Sequence, residues 1–469
     1  MVAKAAIHHE PRLGLWDPDE HLACIALMNR YLRWLFGGLA AVNTMFALLL
    51  AWDLHDFGLA WYESKTVWVL AGAAAIFGWV ARRFSFAARI RVFMILLAFL
   101  FVEILLQVIC SIGWMKAVNT KDPLPWCRVY WTSEGLGNSI RNRYAWHFPE
   151  FALERTNRVA LIGDSFVEAV EVRRAGTMGA LLRDHLHHAD ANTTAMSFGE
   201  HGMGPAQYLE LLKYAQRHFA IQSATLVIYL GNDISDCSPR LQFHDPKQYL
   251  YYTLAADGSV ALDATGERTR ATYERGLEER HRPVWRLLPR LASSHCLSLQ
   301  VPLSIWHTRQ LRQRIAQDAG HQLGPETQLA RLGLKGAPFA IKPTPEALEG
   351  MSIVQGILDR AAALAREKGI RLSIVTVPFF PPDFYAQPGP AWTAQLGEYD
   401  FFRPDRELQD WATRRGLPFL SLGQTMRARS LTPAEIRRLY LSNGCGHFSE
   451  AGHRFAADAI HEAFYSAPK

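Results

Sequence analysis

The sequence predicts an α/β protein, an open parallel sheet covered by helices on both faces, behind an anchor of three membrane-crossing helices. Three observations predict it. Short runs rich in β-branched residues alternate with amphipathic stretches from residue 158 onward, which is the pattern of buried parallel strands and crossover helices. Nearly all the long apolar runs lie before residue 116, and a helix needs about 20 apolar residues to cross hydrocarbon. The 469 residues are 49% hydrophobic and 20% charged, enough apolar material for a full core and the opposite of a disordered composition.

The anchor comes first in the chain. A segment of mostly polar residues, 1–30, precedes the run YLRWLFGGLAAVNTMFALLLAW at 31–52; two further runs lie at 66–82 and 92–115. The loop between the second and third runs carries Arg82, Arg83, Arg89 and Arg91 without an acid. The loop between the first and second carries Asp53, Asp56 and Glu63 against Lys65. Positive residues stay on the cytoplasmic side, so the N-terminus is expected in the cytoplasm. Everything after residue 116 is then expected outside the inner membrane, periplasmic or extracellular. No cleavable signal peptide is expected, because the first apolar run begins too late. Glu103 and Gln107 stand one turn apart on the third run and share a face, either packing near Asn43 of the first run or docking to a multi-spanning partner.

Residues 117–157 read as a linker and irregular lead-in, and 158–469 as the α/β domain. Strands are expected at 158–163, 193–199, 224–231, 371–378 and 417–422, with helices at 177–188, 205–218, 347–368 and 405–415. Residues 240–345 break the alternation and read as an insertion between the third and fourth strands, a lid or a membrane-facing surface. It opens with a β-hairpin turning at Asp257-Gly258 and continues into basic amphipathic helix. The formal net charge of +6 is small for this length and predicts no nucleic-acid partner. Six cysteines are too few for a disulfide-built scaffold.

The chemistry gathers at strand ends, where open parallel sheets hold their ligands. The first strand ends in Gly163-Asp164-Ser165 and runs straight into a helix. The second ends in Ser197-Phe198-Gly199-Glu200-His201-Gly202-Met203-Gly204, a glycine-rich turn. The third ends in Gly231-Asn232-Asp233, and Gly446-His447-Phe448-Ser449 precedes the last helix. The first of these is not a Gly-x-Ser-x-Gly elbow, since Val167 holds its last position. His185, His187 and His188 cluster without a carboxylate pattern, and His453 is expected to pack at the start of the last helix; neither is read as a metal site.

In the order of these motifs the chain resembles the SGNH/GDSL hydrolases over roughly residues 155–466, the insertion excepted. The resemblance implies a flavodoxin-like three-layer α/β/α sandwich. It implies Ser165 as nucleophile and His447 as general base. The oxyanion hole would be the N–H groups of Ser165 and Gly202 with the side chain of Asn232, supported by Gly163, Asp164, Gly231 and Asp233. A serine hydroxyl needs a base within hydrogen-bond reach to become nucleophilic, and imidazole titrates near neutrality. The implied reaction is two-step acyl transfer through an acyl-serine, with no cofactor and no metal.

Two positions depart from the family pattern. Ser197 stands where the glycine block usually opens with asparagine. Gly444 and Cys445 stand where the aspartate that orients the histidine is expected, leaving its orientation to a backbone carbonyl, to an acid from elsewhere, or to nothing. A Cys237–Cys445 disulfide is expected to brace the histidine loop in its place. The function implied is a membrane-embedded esterase or acyltransferase acting on an acylated glycan, through O-acyl or O-acetyl groups, or on another ester. A catalytically degenerate glycan-binding or assembly protein and a lipid-ester hydrolase are the alternatives.

Overall fold

The computed structural model describes residues 18–56, 65–111, 119–120, 124–131, 134–237, 241, 250–262, 266–281, 337–379, 400–441 and 446–466. They form two compact units, one up to Leu106 and one from Gln107 onward.

The first unit holds helices α1 (Pro18–Asp56), α2 (Lys65–Arg83) and most of α3 (Phe86–Ser111). Leu32, Phe36 and Val80 are buried between them, and Arg89 is buried with its guanidinium donating to Asn29 Oδ1 and to the Val80 carbonyl. Asn43 Nδ2 donates to Leu39 O of its own helix at 2.8 Å. The expectation of three spans is corrected here. Among the described residues one helix, Phe86–Ile109, is long and apolar enough to cross a membrane. The 19 residues of α2 are bounded by Lys65 and by Arg82 and Arg83, and the side chains of 49–52, which close the first apolar run, lie outside the described residues.

The second unit opens with a three-stranded antiparallel sheet, β1 (Asn119–Thr120), β2 (Arg128–Trp131) and β3 (Gly137–Ile140), in the order β1-β2-β3. Residues 117–157, expected as irregular lead-in, are therefore partly ordered as sheet. The main sheet follows: β4 (Asn157–Gly163), β5 (Thr193–Gly199), β6 (Ser223–Tyr229), β9 (Arg371–Val377) and β10 (Phe419–Ser421), each within three residues of its predicted bounds. Its pairings are all parallel and its order is β10-β9-β6-β4-β5. Counted along the chain, that is the flavodoxin-like order 2-1-3-4-5, with its switch point between β4 and β6.

Alternation along these strands builds two cores. Ala160, Ile162, Leu226, Ile228, Leu372 and Ile374 face one, with α6 (Pro205–Phe219), α8 (Pro345–Glu367) and α9 (Arg403–Arg414). Val159, Leu161, Val227, Val375 and Val377 face the other, with α5 (Met178–Ala189), α10 (Leu422–Ala428), α11 (Pro433–Arg438) and α12 (Glu450–Phe464). Successive side chains on a strand point to opposite faces, so helices close both, and the three-layer α/β/α arrangement results. His185 lies on α5, where Nε2 meets Asp458 Oδ1 of α12 at 2.7 Å, a carboxylate partner that the spacing did not reveal.

Within the insertion the hairpin forms as expected: β7 (Tyr252–Leu254) pairs antiparallel with β8 (Val260–Leu262) around Asp257-Gly258. A helix, α7 (Gly266–Glu279), follows. The amphipathic helix expected beyond residue 290 lies outside the described residues.

Candidate active site

Ser165 opens the single-turn helix α4 (Ser165–Glu168) at the carboxyl end of β4. Asp164 caps that turn, its Oδ1 accepting from Phe166 N at 2.9 Å, with its Oδ2 3.4 Å from Ser165 Oγ. The turn is tight because Gly163 has no side chain: a Cβ there would stand 2.5 Å from Val167 Cγ2. Burial pushes the Asp164 carboxyl up to about 6, against the Phe166 hydrogen bond and the neighbouring His447 charge, which lower it.

His447 arrives from the other end of the unit. Its segment is pinned by a bridge between Tyr440 and Phe448, by Leu441 N donating to His447 O at 2.9 Å, and by Ser449, which caps α12. The ring presents Nε2 to Ser165 Oγ at 2.9 Å. The two residues that the sequence singles out as nucleophile and base are thus within hydrogen-bond reach.

The acid that orients the ring is Glu134, which the sequence analysis does not identify. Its Oε2 accepts from His447 Nδ1 at 2.7 Å, and its Oε1 accepts from the His447 backbone N–H at 2.8 Å. This two-point hold fixes both the ring and the chain that carries it. With Nδ1 as donor, Nε2 is left to accept the serine proton, the tautomer a general base needs. Glu134 sits in the turn between β2 and β3, and Gly135 makes the turn possible. Gly135 lies at φ +69°, and a Cβ there would stand 2.4 Å from the Glu171 carbonyl oxygen.

A second acid lies behind the first. Glu171 Oε1 is 3.4 Å from His447 Nδ1 and 4.0 Å from His201 Nδ1, its side chain is 0% exposed, and neither carboxylate oxygen has a hydrogen-bond partner. Burial pushes its carboxyl up to about 7, with His447 acting against the rise. For His447 itself burial favours the neutral ring, but the Glu134 hydrogen bond and the charges of Glu171, Glu134 and Asp164 outweigh it and raise the imidazole to about 9. Nearby, Arg141 and Glu168 form a buried ion pair at 2.6 Å, and Glu168 Oε2 accepts from His201 N at 2.8 Å.

The remaining expected residues are placed less tightly. Gly202 lies in the turn after β5. Asn232 Nδ2 donates to Asp236 Oδ2 at 2.9 Å, while its Oδ1 is buried without a hydrogen-bond partner. Asp233 is buried and structural, accepting from Tyr229 N at 2.8 Å and from Tyr208 Oη at 3.0 Å. Gly231 lies against Tyr229 and Phe379. His453 is buried in α12 as expected, and burial pushes its ring down to about 3. Cys237 is a buried free cysteine, against the expected disulfide; Cys445 lies outside the described residues. The acid from the β2–β3 turn supplies the brace that the disulfide was expected to provide.

No family model matches the chain, and no curated protein matches it. Solved structures with a similar fold include TesA, at 10% identity and a TM-score of 0.33, covering 66% of this chain and 98% of that one. An acetyl xylan esterase, AlAXEase, matches at 12% identity and a TM-score of 0.32, over 66% and 99% of the two chains. The psychrotrophic esterase EstA from Pseudoalteromonas sp. matches at 8% identity and a TM-score of 0.30, over 66% and 96%. At this level of likeness the functional reading rests on the site geometry alone.

Proposed function

We propose that the chain is a serine hydrolase of the SGNH type, acting on ester bonds through an acyl-serine intermediate. The observation that carries this reading is the continuous chain from Glu134 through His447 to Ser165, at 2.7 and 2.9 Å. His447 Nε2 takes the proton of Ser165 as the oxygen attacks the ester carbonyl, then returns it to the leaving alcohol. Glu134 holds the ring in the accepting tautomer and stabilises the imidazolium. The N–H groups of Ser165 and Gly202 would meet the oxyanion, joined by the Asn232 amide once it turns from Asp236. Loss of one such donor typically costs roughly 10²- to 10³-fold in rate. The completed triad favours catalysis over the degenerate glycan-binding alternative.

The further reading is a membrane-embedded enzyme whose catalytic unit lies outside the inner membrane, with the single span Phe86–Ile109 as its anchor and a cytoplasmic N-terminus. The apolar helix Phe86–Ile109 and the arginines of residues 82–91 support it. From that location we read the substrate as O-acyl, chiefly O-acetyl, groups of an envelope or secreted glycan. Transfer to a sugar hydroxyl differs from hydrolysis only in what attacks the acyl-enzyme.

The test is reaction of the full-length protein, in detergent, with a fluorophosphonate probe. Covalent labelling that is abolished in Ser165→Ala and strongly reduced in His447→Ala supports the reading. Labelling that survives Ser165→Ala overturns it. Acetate release from an acetylated glycan, compared with label transfer to a deacetylated one, then separates hydrolase from transferase.

A further inference from the structure

We infer that Glu171, His201 and His447 form a zinc site that switches the enzyme off. Glu171 Oε1 is 3.4 Å from His447 Nδ1 and 4.0 Å from His201 Nδ1, and the three ligand atoms all lie within 4.8 Å of one another. Zinc holds nitrogen and oxygen at about 2.1 Å in tetrahedral geometry, so its ligand atoms stand about 3.4 Å apart. One edge of the triangle already has that length, and the others need small side-chain rotations. Two imidazoles and a carboxylate are a donor set suited to zinc.

The carboxylate is what marks this cluster as a site rather than a chance grouping. Glu171 has a side chain 0% exposed, and both its oxygens lack a hydrogen-bond partner. A buried carboxylate left in that condition is costly; a cation between it and the two rings would satisfy it. His201 and His447, with side chains 29% and 21% exposed, form the open side through which an ion and its remaining water ligand can enter. His201 is held in place by Glu168, which accepts its backbone N–H, and its ring packs tilted against Trp131 at 5.2 Å between centroids.

Binding and catalysis are mutually exclusive on chemical grounds. A metal on Nδ1 of His447 displaces the Glu134 hydrogen bond and forces the ring's remaining proton onto Nε2. That nitrogen then donates to Ser165 Oγ instead of accepting from it, and the serine loses its base. Any proton carried by a ligand atom beforehand leaves to solvent. The inhibition rests on the serine-hydrolase reading, whereas metal binding stands on the cluster alone.

The test uses the full chain in detergent, stripped of metal with EDTA, and two readouts. In the first, Co²⁺ is titrated as a zinc surrogate. One equivalent is expected to produce the intense visible absorption of a four-coordinate site, lost in Glu171→Gln and in His201→Ala. In the second, fluorophosphonate labelling of Ser165 is compared with and without saturating Zn²⁺. Labelling is expected to fall at least tenfold and to recover with EDTA, and the ratio is expected to return to one in His201→Ala. Weak octahedral absorption, or zinc inhibition undiminished in His201→Ala, overturns the proposal. If Glu171→Gln does not fold, the partly exposed His201 still decides the outcome. If Ser165 labels under no condition, the hydrolase reading fails while the Co²⁺ titration still decides the site.

Discussion

Glu134 holds His447 at two points, carboxylate to Nδ1 at 2.7 Å and carboxylate to backbone N–H at 2.8 Å, across 313 residues of chain. The same side chain therefore sets the tautomer of the base and anchors the loop that presents it. The orienting acid of this site comes from the small antiparallel sheet that precedes the catalytic domain's first parallel strand, not from the histidine's own loop.

Glu134→Gln keeps the shape of the side chain and removes its charge. It permits the tautomer with the proton on Nε2, which cannot accept from serine. In a serine protease the corresponding change costs about 10⁴-fold in kcat. We expect a fall of about 10²- to 10⁴-fold in hydrolysis of a soluble aryl acetate, with labelling slowed in parallel. A rate within threefold of the unsubstituted protein would remove Glu134 from the mechanism.

The reaction needs a neutral His447, and the acids around it raise the imidazole to about 9. Activity should climb through neutrality with its inflection near pH 9 and level off above it. Removing the Glu134 charge takes away a group that favours the imidazolium. The inflection in Glu134→Gln should therefore move to lower pH even as the plateau falls. A pH–rate profile of both proteins checks the direction, and an inflection that moves to higher pH contradicts it.

Gly135→Ala should damage the site through the backbone. The position lies at φ +69°, and a Cβ would meet the Glu171 carbonyl oxygen at 2.4 Å. Such strain costs on the order of 1–3 kcal/mol, relieved here by displacing the turn that carries Glu134. Thermal unfolding and aryl acetate hydrolysis should both decline, with hydrolysis the more affected. Unchanged values for both would show that the turn accommodates a side chain.

His453 should govern part of the acid stability. Its ring is buried in α12, where burial pushes it down to about 3, and neither ring nitrogen has a hydrogen-bond partner. The unfolded chain binds a proton there near pH 6.5, and the folded chain does so only near 3. Stability contributed by this residue is present above pH 6.5 and falls as the pH drops below it, by about 2 kcal/mol at pH 5. Denaturant unfolding of His453→Phe should lose less stability between pH 7 and pH 5 than the unsubstituted protein loses. An equal loss in both would place the acid sensitivity elsewhere.

Strand positions, their parallel alternation and the hairpin at Asp257-Gly258 were legible because each is a local pattern of side-chain period and turn chemistry. Ser165 and His447 were legible through the order of their motifs, which resembles that of the SGNH/GDSL hydrolases, each motif standing beside an element end. The anchor was legible only in part, because hydropathy in the second run is diluted by glycine and alanine and closed by arginines. Glu134 and Glu171 carry no such mark. An acid that is exposed or buried, paired or unpaired, looks the same in a sequence. The partnership of Glu134 with His447 exists because the turn between β2 and β3 closes on the Glu171 backbone, and only the packed chain decides that. Sequence thus marked the sheet and the two residues, Ser165 and His447, proposed as nucleophile and base. Tertiary structure alone decided what orients the base, since that contact joins residues whose separation erases any periodic signal between them.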